Sequence, residues 1–160
     1  MVMKEFLTVL AGGFMAILGS VSVMWYSSYK ERKSLSQAIL GEIQSLTSLM
    51  EKRKYIENLE RWKQEINETS ESPNRAFMAI PKFNYFAVYD ANLGKIGSLP
   101  WYSTIYVTKF YVLTKSLLED FTSKELYSRE PKVVLGILDE DIKLIKEVIR
   151  IGKVTIKKLN

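Results

Sequence analysis

Phe6 to Tyr26 reads FLTVLAGGFMAILGSVSVMWY and carries no charge. No other feature restricts the folding of the chain as much. As a helix these 21 residues reach about 31 Å, the thickness of a bilayer's hydrocarbon core. Trp25, Tyr26 and Tyr29 cluster at one end, where amphipathic rings favour the headgroup level, and Lys30, Arg32 and Lys33 follow at once. On the other side Lys4 is opposed by Glu5. The balance of positive charge predicts that the C-terminal side faces the cytoplasm. A cleaved signal peptide fits less well: its positive leading region is nearly missing, the apolar run is too long and no small-residue cleavage site follows. The expectation is a transmembrane anchor over residues 5–29. Within it Gly12, Ala16 and Ser20 recur every fourth residue, a stripe of small side chains that lets two helices approach in lipid and so points to self-association.

Beyond the anchor, composition excludes more than it assigns. The chain has 160 residues, no Cys and no His, and a net charge of +5. There is no disulfide, thiolate nucleophile or zinc knuckle, and the commonest general base and metal ligand is missing. Two units of the net charge fall in residues 1–33, leaving +3 for the rest.

From Ser34 to Glu68 the apolar residues Leu35, Ile39, Ile43, Leu46, Met50, Ile56, Leu59, Trp62 and Ile66 step mostly by three and four, which is helical spacing. The stripe is interrupted at Lys52-Arg53-Lys54. This segment is either a continuation of the anchor helix or a second helix after a break near Ser27-Ser28. Glu68 to Asn74 reads as a loop, and residues 75–82 as irregular. Phe83 to Leu93 has helical spacing, with Gly94 placed as a left-handed C-terminal cap. A turn over Lys95 to Leu99 follows, then a helix from Pro100 to Phe121 with Ser98 as its cap and Ile105, Phe110, Leu113, Leu117, Leu118 and Phe121 on its apolar side. The β-branched run Thr104 to Thr108 argues for a strand, but it has no hairpin partner. Ser123 to Glu130 is a polar connection. Pro131 opens a last helix that carries Val134, Ile137, Leu138, Ile142, Ile145, Val148, Ile149 and Ile151 and frays or ends at Gly152.

The expected fold is therefore all-α: an N-terminal transmembrane helix (residues 5–29), a long juxtamembrane helix (30–68), and a small antiparallel helical bundle (69–160) that packs with the juxtamembrane helix.

The most distinctive stretch is Tyr85 to Pro100, YFAVYDANLGKIGSLP, followed by Phe110-Tyr111. Tyr89, Asp90, Ala91, Asn92, Gly94, Lys95, Ile96 and Gly97 match a Tyr-Asp/Glu-Ala-Asn-x-Gly-Lys-Ile/Leu-Gly pattern. In this the chain resembles a group of short bacterial single-pass membrane proteins of unknown function. The resemblance implies a similar layout, hence a bacterial inner membrane, and no activity. Read physically, the residues make a joint between two helices, with Asp90 bonding the turn or pairing with Lys95. Tyr89, Asp90, Asn92, Gly94, Lys95, Gly97, Phe110 and Tyr111 form the candidate partner site. A P-loop is ruled out by Ile96 after Gly94-Lys95, and the GxxG of a KH domain would need surrounding strands.

Aromatic residues crowd the span from Phe77 to Tyr111. Core packing is the default reading, and any ring left exposed would mark an interface. Lys143, Lys146, Arg150, Lys153 and Lys157 step by three and four on the last helix, a basic stripe suited to anionic lipid or a phosphate backbone unless salt pairs occupy it. Asp139-Glu140-Asp141 and Glu119-Asp120 point to different helix faces and assemble no acid–base pair. No catalytic or metal site and no cofactor is expected, and the chain reads as a non-enzyme.

The function expected from the residues alone is a membrane-anchored helical interaction or scaffold protein. Its partners would be membrane lipid, an unidentified protein and a second copy of itself, with nucleic acid ranked behind them. Two alternatives remain open: a tethered module binding anionic lipid or nucleic acid through the basic stripe, and an exclusion or lysis factor of phage or plasmid type.

Overall fold

Apolar side chains every third or fourth residue produce the long helices of the described residues. The computed structural model describes residues 2–69, 85–122 and 130–160, and the side chains of residues 2, 4–11 and 122 lie outside that description. The elements are α1 (Val2–Lys52), α2 (Tyr55–Thr69), the short α3 (Ala87–Ala91), a 3-10 segment (Leu93–Ser98), α4 (Trp101–Thr122) and α5 (Pro131–Leu159). The described residues contain no strand. The expected loop over residues 70–74, the irregular stretch 75–82, Phe77 and Phe83, and the connection from Ser123 onward all lie outside the described residues.

The bundle is built around α5, the last helix in the chain. It packs against α4, against the C-terminal third of α1 and against α2. Its Val148 and Ile151 join Leu35, Ile39, Ile43, Leu46 and Met50 of α1 and Val107, Phe110 and Tyr111 of α4 in one buried cluster. Its Val134, Leu138, Ile142 and Ile145 join Leu59, Trp62 and Ile66 of α2 and Leu117 of α4 in a second. Lys63 of α2 pairs with Asp139, Lys146 with Glu60 and Lys153 with Glu51. Along that series the α1–α2 numbers fall as the α5 numbers rise, so α5 runs antiparallel to both. Lys109–Glu147 and the bond from the Ser103 hydroxyl to the Lys158 carbonyl set the same antiparallel register for α4.

The expected anchor, residues 5–29, and the juxtamembrane segment as far as Lys52 lie on one helix, α1, with no break at Ser27-Ser28. The interruption falls at Arg53-Lys54, where the apolar stripe lapses. Lys54 adopts φ 51°, a left-handed conformation in which a β-carbon is strained. The Asn58 side-chain amide compensates by bonding the exposed Arg53 carbonyl at 3.1 Å. Nothing described packs around α1 before Leu35. From Gly12 to Ser34 every residue but half-buried Ser28 is exposed.

The expected membrane span is not reproduced: among the described residues no helix is long and apolar enough to cross a membrane. The described side chains of the uncharged run begin at Gly12 and turn polar at Ser27 and Ser28. Its first six residues, Phe6 to Ala11, lie outside the description.

Other expectations are also corrected. Gly94 is not a left-handed cap, since no described glycine has positive φ. The chain tightens there into the 3-10 segment instead of ending a long helix. Ser98 closes that segment, and the Pro100 carbonyl receives the first α4 amides, from Ser103 and Thr104. Ile105 faces solvent while Val107 is fully buried. The β-branched run is helical, in keeping with the helix expected over Pro100 to Phe121, as burial of one stripe dictates. The last helix starts at Pro131 as expected, which puts Asp139 to Asp141 inside α5.

Gly152 neither ends nor frays α5, which continues to Leu159. A β-carbon there would stand 2.4 Å from Thr47 Oγ1 of α1 and 3.0 Å from Phe110 Cε2 of α4. Glycine is the residue that lets three helices meet at this level. Gly152→Ala should therefore lower stability by about 1–3 kcal/mol through overpacking. Chemical denaturation should show it, and Thr47→Ala in the same chain should recover part of the loss, because the nearest clash is with its hydroxyl.

Asp141 is 3% exposed on α5. Burial first, then the nearby Asp120 and Glu140 charges, push its carboxyl up to about 6. A carboxyl raised in the fold contributes most below its unfolded value and destabilises as pH rises through the folded one. Asp141→Asn should accordingly stabilise the protein at neutral pH by about 1–3 kcal/mol and change little near pH ~4. Thermal melts across that range provide the check.

Candidate functional site

The distinctive Tyr85–Pro100 stretch is organised by a residue outside it. Glu42 of α1 reaches over to α3, whose own N-terminal residue, Phe86, offers no side-chain cap. The Val88 amide donates to Glu42 Oε1 at 2.8 Å, and the Tyr89 amide donates to Oε2 at 3.1 Å. The Tyr111 hydroxyl of α4 donates to the same Oε2 at 2.5 Å. One carboxylate thus satisfies the amides that a helix start leaves open and ties α1, α3 and α4 together.

The aromatic rings complete the joint. Tyr89 stacks on Tyr111 with centroids 3.9 Å apart, and Phe86 meets Tyr111 edge-on at 6.0 Å. Lys115 lies over the Phe86 and Tyr89 rings at 5.3 and 5.6 Å and pairs with Asp90 at 2.5 Å. Asp90 therefore bonds α4 and not Lys95. The Asn92 side-chain amide donates to the Val88 carbonyl at 2.8 Å. Burial, then the hydrogen bond to Glu42, push the Tyr111 hydroxyl far above the ordinary phenol range. That describes a structural donor held to a carboxylate, not a group poised to lose its proton.

The predicted partner site divides in two. Tyr89, Phe110 and Tyr111 are buried in the core, with Phe110 against the Gly152 level of α5. Asn92 is half-buried, and Asp90, Gly94, Lys95 and Gly97 are exposed on one short segment. Glu42 and Lys115 were not legible as members. Glu42 lies among Ile39, Ile43 and Leu46 in the sequence, and only the fold shows that it meets amides 46 and 47 residues away. Its one signal is a lone carboxylate beside an otherwise apolar stripe.

Of the basic stripe, Lys146 pairs with Glu60, Lys153 with Glu51, and Arg150 with Glu147. Arg150 and then Lys109 hold the Glu147 carboxyl down to about 2. Lys143 and Lys157 are exposed and make no ion pair with described residues. Two of the five residues, Lys146 and Lys153, thus fasten α5 to α2 and α1, while Arg150 is paired within α5.

In the small-residue stripe, Ala16 and Ser20 line a shallow groove on α1 and Gly12 is exposed. The Ser20 hydroxyl bonds back to the Ala16 carbonyl at 2.9 Å.

Among the described residues no group of acidic side chains is arranged to hold a metal ion. The apolar cavity between α1 and α4, near Met50, Phe86 and Leu117, is about 60 Å³. That is far below the several hundred Å³ of an ordinary ligand site. No known protein family, curated protein or solved structure matches the chain.

Glu42→Ala should destabilise the fold by about 2–4 kcal/mol, since three donors lose their acceptor at once. Hydrogen exchange at the Val88 and Tyr89 amides should accelerate well beyond the global change. Tyr111→Phe removes one of the three bonds and should cost less, about 1.5–3 kcal/mol.

Proposed function

We propose that the chain is a single-pass membrane-anchored helical scaffold whose bundle works in the cytoplasm as a non-catalytic interaction module. The observation that carries this reading is the bare first half of α1. Phe14, Met15, Ile17, Val21, Val23, Met24 and Trp25 are all more than half exposed and occupy every side of the helix. A helix apolar all round is stable where lipid or protein surrounds it, not in water. In sequence the uncharged run extends back through Phe6 to Ala11, which restores a bilayer-spanning length.

Trp25 stacks on Tyr29 at 6.2 Å, and Lys30 lies over the Tyr26 ring at 5.9 Å. This aromatic and cationic collar suits the headgroup region on the cytoplasmic side. The continuity of α1 supports a scaffold: the bundle is joined to the anchor by unbroken helix, so its orientation to the bilayer follows that of the anchor. Gly12, Ala16 and Ser20 offer the face for a second copy. The resemblance to short bacterial single-pass proteins agrees with this layout.

In bacterial membranes the chain should resist alkaline carbonate extraction. Reporters fused at the two ends should place the C-terminus in the cytoplasm. Release by carbonate would remove the anchor, and an active periplasmic reporter at the C-terminus would reverse the topology.

A further inference from the structure

The bundle has two ends, and their surfaces differ. The end next to the collar is formed by α1 from Ser36 onward, the start of α4 and the close of α5. Along the helix only about 9 Å separates Tyr29 from Leu35, where the buried core begins. A headgroup layer is about 5–7 Å deep on each side of the hydrocarbon. The core thus begins just past the headgroup layer, and Tyr29 of the collar lines a groove with Pro100 and Leu159, so this end of the bundle borders the headgroups if α1 is anchored as proposed above.

The surface found there suits that position. Trp101 is 75% exposed, Tyr102 42% and Ile105 55%, three apolar side chains turned outward within the first two turns of α4. Trp101 meets Tyr102 edge-on at 6.2 Å. The Lys158 ammonium lies over Tyr102 and Tyr106 at 5.7 and 5.0 Å, so a cation is fixed among the rings. Beside them an open groove runs between α1 and the ends of α4 and α5. It is lined by Arg32, Lys33, Ser36 and Gln37 on one wall and by Ser98 and Leu159 on the other. Two cations and several neutral hydrogen-bonding groups face one space there, together with Asn160, which carries the terminal carboxylate. The acid of this α1 segment is Glu31, which does not line the groove. The stripe on α5, in contrast, is mostly occupied by its ion pairs.

We infer that this end of the bundle is a second membrane contact: Trp101 and Ile105 enter the interface, and the Arg32–Lys33 groove with Lys158 receives the phosphate of an anionic lipid. The inference rests on the anchored reading of α1. Aromatic rings beside fixed cations are the chemistry of a bilayer surface, and clustered basic residues just past a span draw anionic lipid. The consequence is a bundle held down on its own membrane instead of swinging above it.

The chain has no cysteine, so Ile105→Cys provides one labelling site for an environment-sensitive fluorophore. The full chain is reconstituted in vesicles of phosphatidylcholine alone or mixed with phosphatidylglycerol. With phosphatidylglycerol the emission should shift to the blue and spin-labelled lipid should quench it several-fold more than in phosphatidylcholine alone. Arg32→Gln, Lys33→Gln and Lys158→Gln together should abolish the difference, with Lys30 kept to preserve orientation. Trp101→Ser, at an exposed position that leaves the core intact, should weaken the quenching in both lipids.

A chain that resists carbonate extraction while its probe stays water-exposed in both lipids overturns the docking and leaves the anchor standing. A chain that carbonate releases from the vesicles overturns both. Inorganic phosphate that shifts the probe in phosphatidylcholine alone would make the groove a site for a soluble anion and overturn the lipid assignment.

Discussion

The approach of α5 to α1 and α4 at Gly152 is the constraint on which the rest of the bundle depends. With no side chain at that position, Thr47 and Phe110 come within van der Waals reach of the α5 backbone. The helix can then run on to Leu159 as the common partner of its neighbours. Both apolar clusters are assembled on its surface. The ion pairs from Asp139 to Lys153 take up the edges of the same contacts. Most are exposed pairs of small individual worth, so they set register more than stability.

A second constraint closes the open side of this arrangement. α1 and α4 share few direct contacts, and the space between them is bridged by Glu42, Tyr111 and the α3 turn. A carboxylate serves here because it can accept three hydrogen bonds at once, two of them from amides that have no partner within so short a helix. The same joint presents the 3-10 segment and the first residues of α4 at the end of the bundle facing the collar. The distinctive motif therefore works first to stiffen the joint between α1, α3 and α4, and of its candidate residues Gly94, Lys95 and Gly97 stay exposed at the edge without a part in that joint.

Helix periodicity made much of this visible in advance. The buried residues of α1, α2 and α5 are those whose spacing marked them: Ile39 and Ile43, Leu59 and Ile66, Leu138 and Ile145. The start of α5 at Pro131 was legible because proline fits a first helical turn. Gly152 misled because a lone glycine late in a helix looks like a terminus, while close backbone approach leaves the same mark. Gly94 misled for the opposite reason: the chain tightened into a 3-10 turn, which needs no positive φ. Ile105 and Val107 exchanged roles because two residues two apart on a helix face nearly opposite ways, and only the position of α5 decides which is inside.

What the sequence determined by itself was local: an uncharged run of bilayer length, helical spacing through most of the remainder, and the lack of Cys and His that leaves no thiol or imidazole chemistry. These follow from composition and from neighbours a few residues apart. Only the tertiary structure decided that Glu42 caps α3, that Lys115 holds Asp90, that Lys146 and Lys153 of the basic stripe bridge to α2 and α1, and that Arg32 and Lys33 share a groove with Pro100, the residue before exposed Trp101. Each of these joins residues 25 or more positions apart in the chain, and their meeting depends on how the helices cross, which no local pattern encodes.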